Sequence, residues 1–226
     1  MIKPKPLHQG DTVAIISPAS PTDKNLIDKC VDSLNTLGLK VVVGESCLSE
    51  HGFLSGTDDI RAKDINCMFA DKNIKGIFAL RGGYGCARLL NLIDFKLIKK
   101  NPKIFVGYSD ITALHIAINQ KSKLVTYHGP MISTELIKGL DEYTASYYKK
   151  FIFGNEKVEE IYNPEGYNLE SINTGISSGQ LIGGNLSLIC SSLGTKYEIN
   201  TKNKILFLEE VEEPPYKIDR MLTQLK

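Results

Sequence analysis

The sequence predicts an α/β fold organised around a parallel sheet. Short runs of apolar and β-branched residues alternate along the chain with amphipathic stretches that are long enough for helices. Residues that favour turns, chiefly Gly, Pro, Ser and Asn, separate the two kinds of segment. This alternation is typical of βαβ units, in which each helix crosses over a sheet to link two parallel strands.

The first 130 residues contain five predicted strands. Residues 12–16 form the first and end at a Ser-Pro turn, after which apolar residues recur at helical spacing over residues 23–37. Gly38 then has the position of a helix C-cap. Further apolar runs predict strands at residues 40–43, 76–80, 103–106 and 124–127. The amphipathic stretches between them predict helices at residues 57–69, 86–93 and 110–120.

The pattern weakens between residues 131 and 175, where we predict helical patches and a hairpin near Gly154-Asn155. We therefore divide the chain into an N-terminal domain of residues 1–135, a linker region of residues 136–174 and a C-terminal domain of residues 175–226. In the last of these, residues 178–185 are predicted to open a helix that continues to Leu193. A strand at residues 204–208 and a helix at residues 219–225 follow.

The composition argues against several classes of function. The 226 residues include 27 Lys and Arg against 26 Asp and Glu, which gives a net charge of +1. A nearly neutral chain of this kind argues against binding to nucleic acid or to an anionic membrane surface. No apolar stretch approaches the roughly 18 to 20 residues that span a bilayer, and the first residues lack a secretory signal, so we predict a cytoplasmic protein. The five cysteines are widely spaced and form no C-x-x-C pair, which predicts reduced thiols and no metal site.

The most informative segment is Gly107-Tyr-Ser-Asp110, between a predicted strand and a predicted helix. A serine at a sharp strand-to-helix turn presents its hydroxyl beyond the sheet, and the amides that open the helix face developing negative charge. The nucleophile elbow of the α/β-hydrolases requires Gly two residues after the serine, where this chain has Ile111. The alternative is that Ser109 or Asp110 only caps the helix.

Two glycine clusters and one acidic segment are the other candidate sites. Residues 81–85, Arg-Gly-Gly-Tyr-Gly, follow a strand, so their amides either hold an anion or oxyanion or form only a tight turn. Gly183-Gly184-Asn185 leaves the same two interpretations open. The acidic segment at residues 209–213 follows a predicted strand at the edge where α/β sites are built, and one carboxylate is a candidate to orient a catalytic histidine. The alternative for that segment is a solvated acidic turn.

Taken in order, these motifs resemble the LD-carboxypeptidase family of serine peptidases, which also contains the microcin C self-immunity peptidases. The resemblance covers nearly the whole chain, and the 81–85 turn is more similar to the murein tetrapeptide branch. The matching motifs are Gly10-Asp11-x-Val-Ala with Ser17-Pro18, Arg81-Gly-Gly-Tyr-Gly85 with Arg88-Leu-Leu90, Val106-Gly-Tyr-Ser-Asp110, His128-Gly-Pro130, Gly179-x-Leu-x-Gly-Gly-Asn185, and Phe207-Leu-Glu209 with Tyr216-x-Ile-Asp-Arg220.

The resemblance implies a flavodoxin-like parallel-sheet N-terminal domain that carries the nucleophile, followed by an α/β C-terminal domain that supplies the Glu and His of a Ser-Glu-His triad. Carried over to this sequence, Ser109 is the nucleophile and Glu209 orients the histidine. Glu213 is the less favoured occupant of the second role. The amides of Asp110 and Gly83 form the expected oxyanion hole.

From the chemistry of the residue types, Arg81 and Tyr84 are the candidate substrate-binding residues, with Arg88 a second guanidinium able to attract a substrate carboxylate. The expected reaction releases terminal D-alanine from cytoplasmic murein tetrapeptide by acyl-enzyme chemistry, with no cofactor. Family likeness also suggests a homodimer. Two alternatives stay open, a peptidase for another amide such as a peptidyl-nucleotide and a homologue that binds a peptide or anion without catalysis.

One feature departs from the family pattern. The family's histidine lies beyond its Glu, in a later loop of the C-terminal domain, whereas no histidine follows His128 in this sequence. We therefore expect an incomplete C-terminal domain, either because the chain is a fragment or because it is a shortened, inactive homologue. His128 as a substitute base is the weaker alternative.

Overall fold

A five-stranded parallel sheet forms the centre of the N-terminal part of the molecule. The computed structural model describes residues 1–154 and 160–226. The strand order is β2-β1-β3-β4-β5, and every neighbouring pair is parallel, which confirms the predicted α/β fold. The strands are β1 (Thr12–Ile16), β2 (Lys40–Val43), β3 (Ile74–Ala79), β4 (Ile104–Gly107) and β5 (Tyr127–His128).

Helices cover both faces of this sheet and bury one hydrophobic cluster on each. Phe105 and Ile77 belong to one cluster, whereas Val106 and Phe78, their neighbours along β4 and β3, belong to the other. Alternate residues of a strand point to opposite faces, so a sheet covered on both sides consists of continuous apolar runs. The helices are α1 (Ile27–Asn35), α2 (Asp58–Ala70), α3 (Cys86–Leu89), α4 (Phe95–Lys100), α5 (Thr112–Ser122), α6 (Glu142–Phe153), α7 (Leu186–Ser191) and α8 (Pro215–Leu225).

A second, two-stranded parallel sheet consists of β6 (Gln180–Asn185) and β7 (Lys204–Glu209). The prediction that residues 178–185 open a helix was wrong, because these residues form β6 and the helix begins only at Leu186. Gly183 and Gly184 lie within β6, where they allow close packing against neighbouring elements rather than forming a turn. Gly184 has φ +139°, and a Cβ built there would lie 2.6 Å from the Thr112 hydroxyl of α5.

Several predicted boundaries also move. The last helix begins at Pro215 rather than residue 219, and the helix predicted at residues 86–93 ends at Leu89. Strand β5 is shorter than predicted, since Leu124 makes only an isolated bridge to Ile2. The hairpin predicted near Gly154-Asn155 extends outside the described residues. Within residues 1–154 and 160–226, no helix has the length and apolarity needed to cross a bilayer.

Candidate active site

Ser109 lies just beyond the carboxyl end of β4, in a 3-10 turn of residues 109–111 that leads into α5. Its φ of +60° is in the left-handed region, which costs a non-glycine residue of the order of 1–3 kcal/mol and concentrates at functional sites. Neither Ser109 nor Asp110 makes a side-chain cap to this turn or to α5, so the interpretation of these residues as caps of that helix was wrong.

Two glycines make room for the Ser109 turn. A Cβ on Gly107 would lie 2.9 Å from Ile111 and 3.0 Å from Ala79, so the end of β4 has no space for a side chain. A Cβ on Gly82 would lie 2.9 Å from both Cβ and Oγ of Ser109. The glycine turn at residues 81–85 therefore lies directly against the candidate nucleophile.

The side chain of Asp110 joins these two turns. It is 2% exposed, and its Oδ2 accepts a hydrogen bond of 2.8 Å from the backbone amide of Cys86, at the start of α3. Burial raises the pKa of this carboxyl, although the hydrogen bonds from Cys86 oppose the shift. Asp110 thus holds the first turn of α3 rather than its own helix. The Cys86 thiol is fully buried with a pKa raised well above its ordinary value by burial, which makes it a poor nucleophile.

Backbone amides suited to an oxyanion hole are available beside Ser109. Gly83 has φ +120°, and its amide donates no hydrogen bond to any other described group. The amide of Asp110 is likewise unpaired within residues 1–154 and 160–226, because the hydrogen bonds of the turn begin at Ile111. Preorganised, unpaired amides of this kind stabilise negative charge that develops on a substrate oxygen.

Glu209 ends β7 on the other side of this region. It pairs in register with Asn185, the last residue of β6, and the amide of Asn185 donates 3.0 Å to the Thr112 hydroxyl at the start of α5. This contact places the carboxyl ends of β6 and β7 against the segment that carries Ser109. Buried Oε1 of Glu209 has no hydrogen-bond partner among the described residues, and burial raises the pKa of this carboxyl.

The neighbouring acidic residues have different surroundings. Glu210 accepts hydrogen bonds from Asn185 Nδ2, from the amide and hydroxyl of Ser187, and from the Val211 amide. Burial raises its pKa, but these hydrogen bonds outweigh burial and the net shift is downward. Glu213 forms an ion pair of 2.8 Å with Lys217. Among the described residues, Glu209 is thus the half-buried carboxylate of this segment whose buried oxygen has no hydrogen-bond partner.

Two histidines lie close to the site. His128 Nε2 is 3.9 Å from Glu209 Oε1, and its ring packs against Tyr108 and Phe207. His115 is 5% exposed and donates from Nε2 to the Gly107 carbonyl at 2.8 Å, and burial lowers its pKa to about 4. It therefore packs as a neutral side chain. The described hydrogen bonds include none between the Ser109 hydroxyl and a histidine.

The candidate substrate-binding residues surround the glycine turn. Arg81 is half-buried, donates from Nη1 to the Pro21 carbonyl at 3.2 Å, and has a buried Nε without a partner among the described residues. Arg88 is fully engaged with Asp58 through three hydrogen bonds of 2.8–3.1 Å, which favours Arg81 as the guanidinium for a substrate carboxylate. Tyr84 is 54% exposed, and its ring lies 5.6 Å from that of Phe53.

Helix α2 contributes residues that the sequence interpretation missed. Arg61 is completely buried, and its guanidinium reaches the loop after β1 and the glycine turn after β3. Asp64, one turn further, accepts hydrogen bonds from the amide and hydroxyl of Ser46. The available signal was the spacing of Asp58, Arg61 and Asp64 at every third position, which places three charges on one side of the helix. No group of three or more potential ligands suited to a metal ion occurs in the part of the chain that the structure describes.

Comparisons with known proteins identify similar chains along the whole length. Residues 13–129 match the family model for the LD-carboxypeptidase N-terminal domain, and residues 178–226 match the model for the LD-carboxypeptidase C-terminal domain. The chain is 48% identical over 227 residues to a probable murein peptide carboxypeptidase of Bacillus subtilis, covering 99% of this chain and 70% of that protein.

Solved structures give the same picture. An MccF-like protein from Bacillus anthracis superposes with a TM-score of 0.88 at 34% identity, covering 100% of this chain and 76% of that one. A muramoyltetrapeptide carboxypeptidase from Oxalobacter formigenes superposes with a TM-score of 0.80 at 29% identity, covering 95% of this chain and 70% of that one.

Proposed function

The chain belongs to the LD-carboxypeptidase family of serine peptidases, and from that premise we propose that its site hydrolyses the bond between the L-centre of meso-diaminopimelate and terminal D-alanine in murein tetrapeptide. The observation that carries this proposal is a pairing of two groups. A serine with a strained backbone lies beside amides that have no partner among the described residues, and the adjoining strand end bears a half-buried carboxylate whose buried oxygen also has no partner there.

In the proposed acylation step, the Ser109 oxygen forms a bond to the scissile carbonyl carbon as its proton passes to a histidine base. The carbonyl oxygen becomes an oxyanion that accepts hydrogen bonds from the amides of Gly83 and Asp110. Collapse of this intermediate breaks the C–N bond, and the leaving D-alanine amine takes the proton from the imidazolium. Water then attacks the acyl-enzyme by the same route and restores the Ser109 hydroxyl.

Glu209 is assigned to orient the base. Its Oε1 is buried and lacks a donor within the described chain, and an imidazole N–H is the partner that a triad carboxylate requires. The family resemblance assigns the base to a later loop of the C-terminal domain. His128 is the nearest histidine to Glu209, but its Nε2 is 3.9 Å away, longer than a hydrogen bond.

The substrate end of the site is proposed to bind the C-terminal carboxylate of the tetrapeptide. The D-alanine carboxylate is matched to Arg81, whose Nε lies unpaired beside the glycine turn, and the exposed Tyr84 ring lies at the rim. The similarity to an MccF-like protein supports a second candidate, in which the same serine cleaves the amide of a peptidyl-nucleotide. Parallel assays on both substrates distinguish the two.

The decisive experiment replaces Ser109 with Ala in the protein expressed from its whole gene and measures D-alanine release from murein tetrapeptide. We expect a loss of roughly 10⁴ to 10⁶-fold in kcat, because the nucleophile acts as a unit with its base. Ser191→Ala is the matched control, since Ser191 is exposed on α7 and hydrogen-bonds only within that helix. Unchanged hydrolysis by the Ser109 variant would overturn the proposal. A wild-type protein that binds the tetrapeptide without releasing D-alanine would instead support the non-catalytic alternative.

A further inference from the structure

A buried arginine behind the glycine turn joins the loops that surround the nucleophile. Arg61, in the first turn of α2, has a fully buried side chain. It donates from Nη1 to the Pro18 carbonyl at 2.5 Å and to the Gly85 carbonyl at 3.1 Å, and from Nη2 to the Asp58 carboxylate. Burying a guanidinium is costly unless it is paired and hydrogen-bonded, so a cation in this position needs all of these partners.

The two carbonyls belong to different strand ends. Pro18 lies in the loop after β1, and Gly85 closes the glycine turn after β3. Ser20 joins the same two segments a second time. Its amide donates to the Gly82 carbonyl at 3.4 Å and its hydroxyl accepts from the Tyr84 amide at 3.2 Å. The loop and the turn are thus one hydrogen-bonded unit, with Arg61 as its charged component.

This unit ends at the reacting serine. Gly82, in the turn, leaves no room for a Cβ against Ser109, and the next amide, from Gly83, is a candidate oxyanion donor. At the other end of the turn, a Cβ on Gly85 would lie 2.6 Å from Arg61 Nη1. The turn is therefore confined between the arginine and the nucleophile, and a change on one side displaces it on the other.

Asp58 fixes the orientation of the arginine. Its carboxylate accepts from Arg61 and also from Arg88, and the hydrogen bonds from Arg88 are the largest cause that lowers the pKa of this carboxyl. The carboxylate is therefore ionised near neutral pH. An ionised, bridging carboxylate restricts the guanidinium to the plane from which it reaches both carbonyls.

We propose that Arg61 is a positioning residue for the reaction, which holds the Gly82–Gly83 turn where its amide meets the oxyanion. The inference rests on the proposed function, because it concerns the oxyanion hole of that reaction. Arg61 touches neither substrate nor reacting atoms and acts through the turn. A displacement of about 1 Å in a catalytic group is able to lower the rate about 10²-fold.

The test compares two substitutions with a control at another buried cation, one that packs against the opposite end of α2. Arg61→Met removes every donor, whereas Arg61→Lys retains a buried cation with a single donor centre. The control is Lys103→Met. Lys103 directly precedes β4, is 5% exposed and donates to the Met68 and Asp71 carbonyls at the opposite end of α2, so its loss also removes a buried cation that packs against this helix.

We expect Arg61→Met to lower kcat for tetrapeptide hydrolysis about 10²-fold with KM within threefold. Arg61→Lys should give an intermediate loss, and Lys103→Met should leave kcat unchanged even where its stability falls. Amide hydrogen exchange is the second readout. Exchange at residues 17–21 and 81–85 should increase in the Arg61 variants and not in the control.

The outcomes separate this inference from the function on which it rests. A wild-type protein that releases no D-alanine overturns the proposed function, and with it the catalytic part of the inference. If the wild type is active, and the Arg61→Lys variant folds with unchanged kcat and unchanged amide exchange in both segments, the inference is overturned and the proposed function stands. If Arg61→Met fails to fold, the Lys variant decides the result. An equal fall in kcat for Lys103→Met also overturns it, because the loss of any buried cation against α2 would then suffice.

Discussion

The two sides of the site each carry a carboxylate with at least one buried oxygen, and the two carboxylates have different surroundings. On the nucleophile side, Asp110 is 2% exposed and accepts a hydrogen bond from the Cys86 amide. On the acid side, Glu209 ends β7 with a buried Oε1 that has no partner among the residues described. Burial raises the pKa of both carboxyls.

This difference separates structural support from chemistry. Most buried polar atoms in folded proteins are hydrogen-bonded, so a free buried carboxylate oxygen requires a specific explanation. Asp110 uses its carboxylate to hold the glycine turn beside Ser109, and further bonds through Arg61 and Ser20 support the same turn. The described residues supply no hydrogen-bond donor to Oε1 of Glu209, which is the expected state of a carboxylate oxygen that serves a histidine.

The largest expected effect tests this contrast on the acid side. Glu209→Gln should lower kcat about 10⁴-fold, equivalent to roughly 5.5 kcal/mol, because an amide is a poor substitute for the carboxylate that orients a triad histidine. The control is Glu210→Gln, the same substitution at the neighbouring residue. That change disturbs hydrogen bonds to Ser187 and should cost about 1–3 kcal/mol of unfolding free energy while kcat persists. Denaturant unfolding and D-alanine release measure the two effects, and a reversed ranking would contradict the assignment.

The next effect tests the nucleophile side. Gly82→Ala introduces a Cβ 2.9 Å from the Ser109 side chain and should reduce kcat/KM about 10² to 10³-fold by displacing the serine or the turn. Gly175→Ala is the matched control, since a Cβ there has no atom within 4 Å. Steady-state kinetics on both variants check this prediction. Equal activity of the two would show that the turn does not constrain the nucleophile.

A third prediction concerns the stability of the protein at acid pH and His115, which hydrogen-bonds the end of β4. His115 donates to Gly107, and burial lowers its pKa from 6.5 to about 4. Above pH 6.5 the side chain is neutral in both the folded and the unfolded states, so it adds no pH dependence. Between pH 6.5 and 4 the unfolded state binds a proton that the folded state does not, so stability falls as pH falls, by about 3 kcal/mol in total.

Urea unfolding of the wild type and of His115→Gln across this range measures that contribution. The variant retains a donor for the Gly107 carbonyl but has no titrating ring, so its stability should fall by about 3 kcal/mol less between pH 6.5 and 4. Parallel pH profiles for the two proteins would show that His115 is protonated in the folded state as readily as in the unfolded state.

The smallest expected effect lies at the rim. Tyr84→Leu removes an exposed ring beside Phe53 and should raise KM about tenfold, roughly 1.4 kcal/mol, with kcat unchanged. Tyr167→Leu, also exposed but far along the chain in the linker region, provides the control for a lost surface aromatic. A change in kcat rather than KM would show that Tyr84 acts in the reacting site and not at its rim.

The homodimer that the family resemblance suggests is not tested by the structure and stays a prediction.

The sequence by itself determined the elements whose signals are local. Strands at residues 12–16 and 40–43 have their predicted bounds, because a run of apolar β-branched residues between turns specifies a strand without reference to partners. The strand-to-helix turn at Ser109 and the acidic end of β7 were identified for the same reason. Their position at the carboxyl ends of parallel strands follows from the βαβ order.

Only the tertiary structure decided the remaining features, because they depend on contacts between distant residues. Residues 180–185 form a strand rather than a helix start, since they pair with β7 and pack their glycines against Thr112. Arg61 is buried because three partners from three segments surround it, and its spacing from Asp58 and Asp64 shows only that three charges share one side of the helix, not that this side is buried. Whether a carboxylate is free or engaged, as for Glu209 and Glu210, is likewise a property of the folded neighbourhood, which residue type and spacing do not specify.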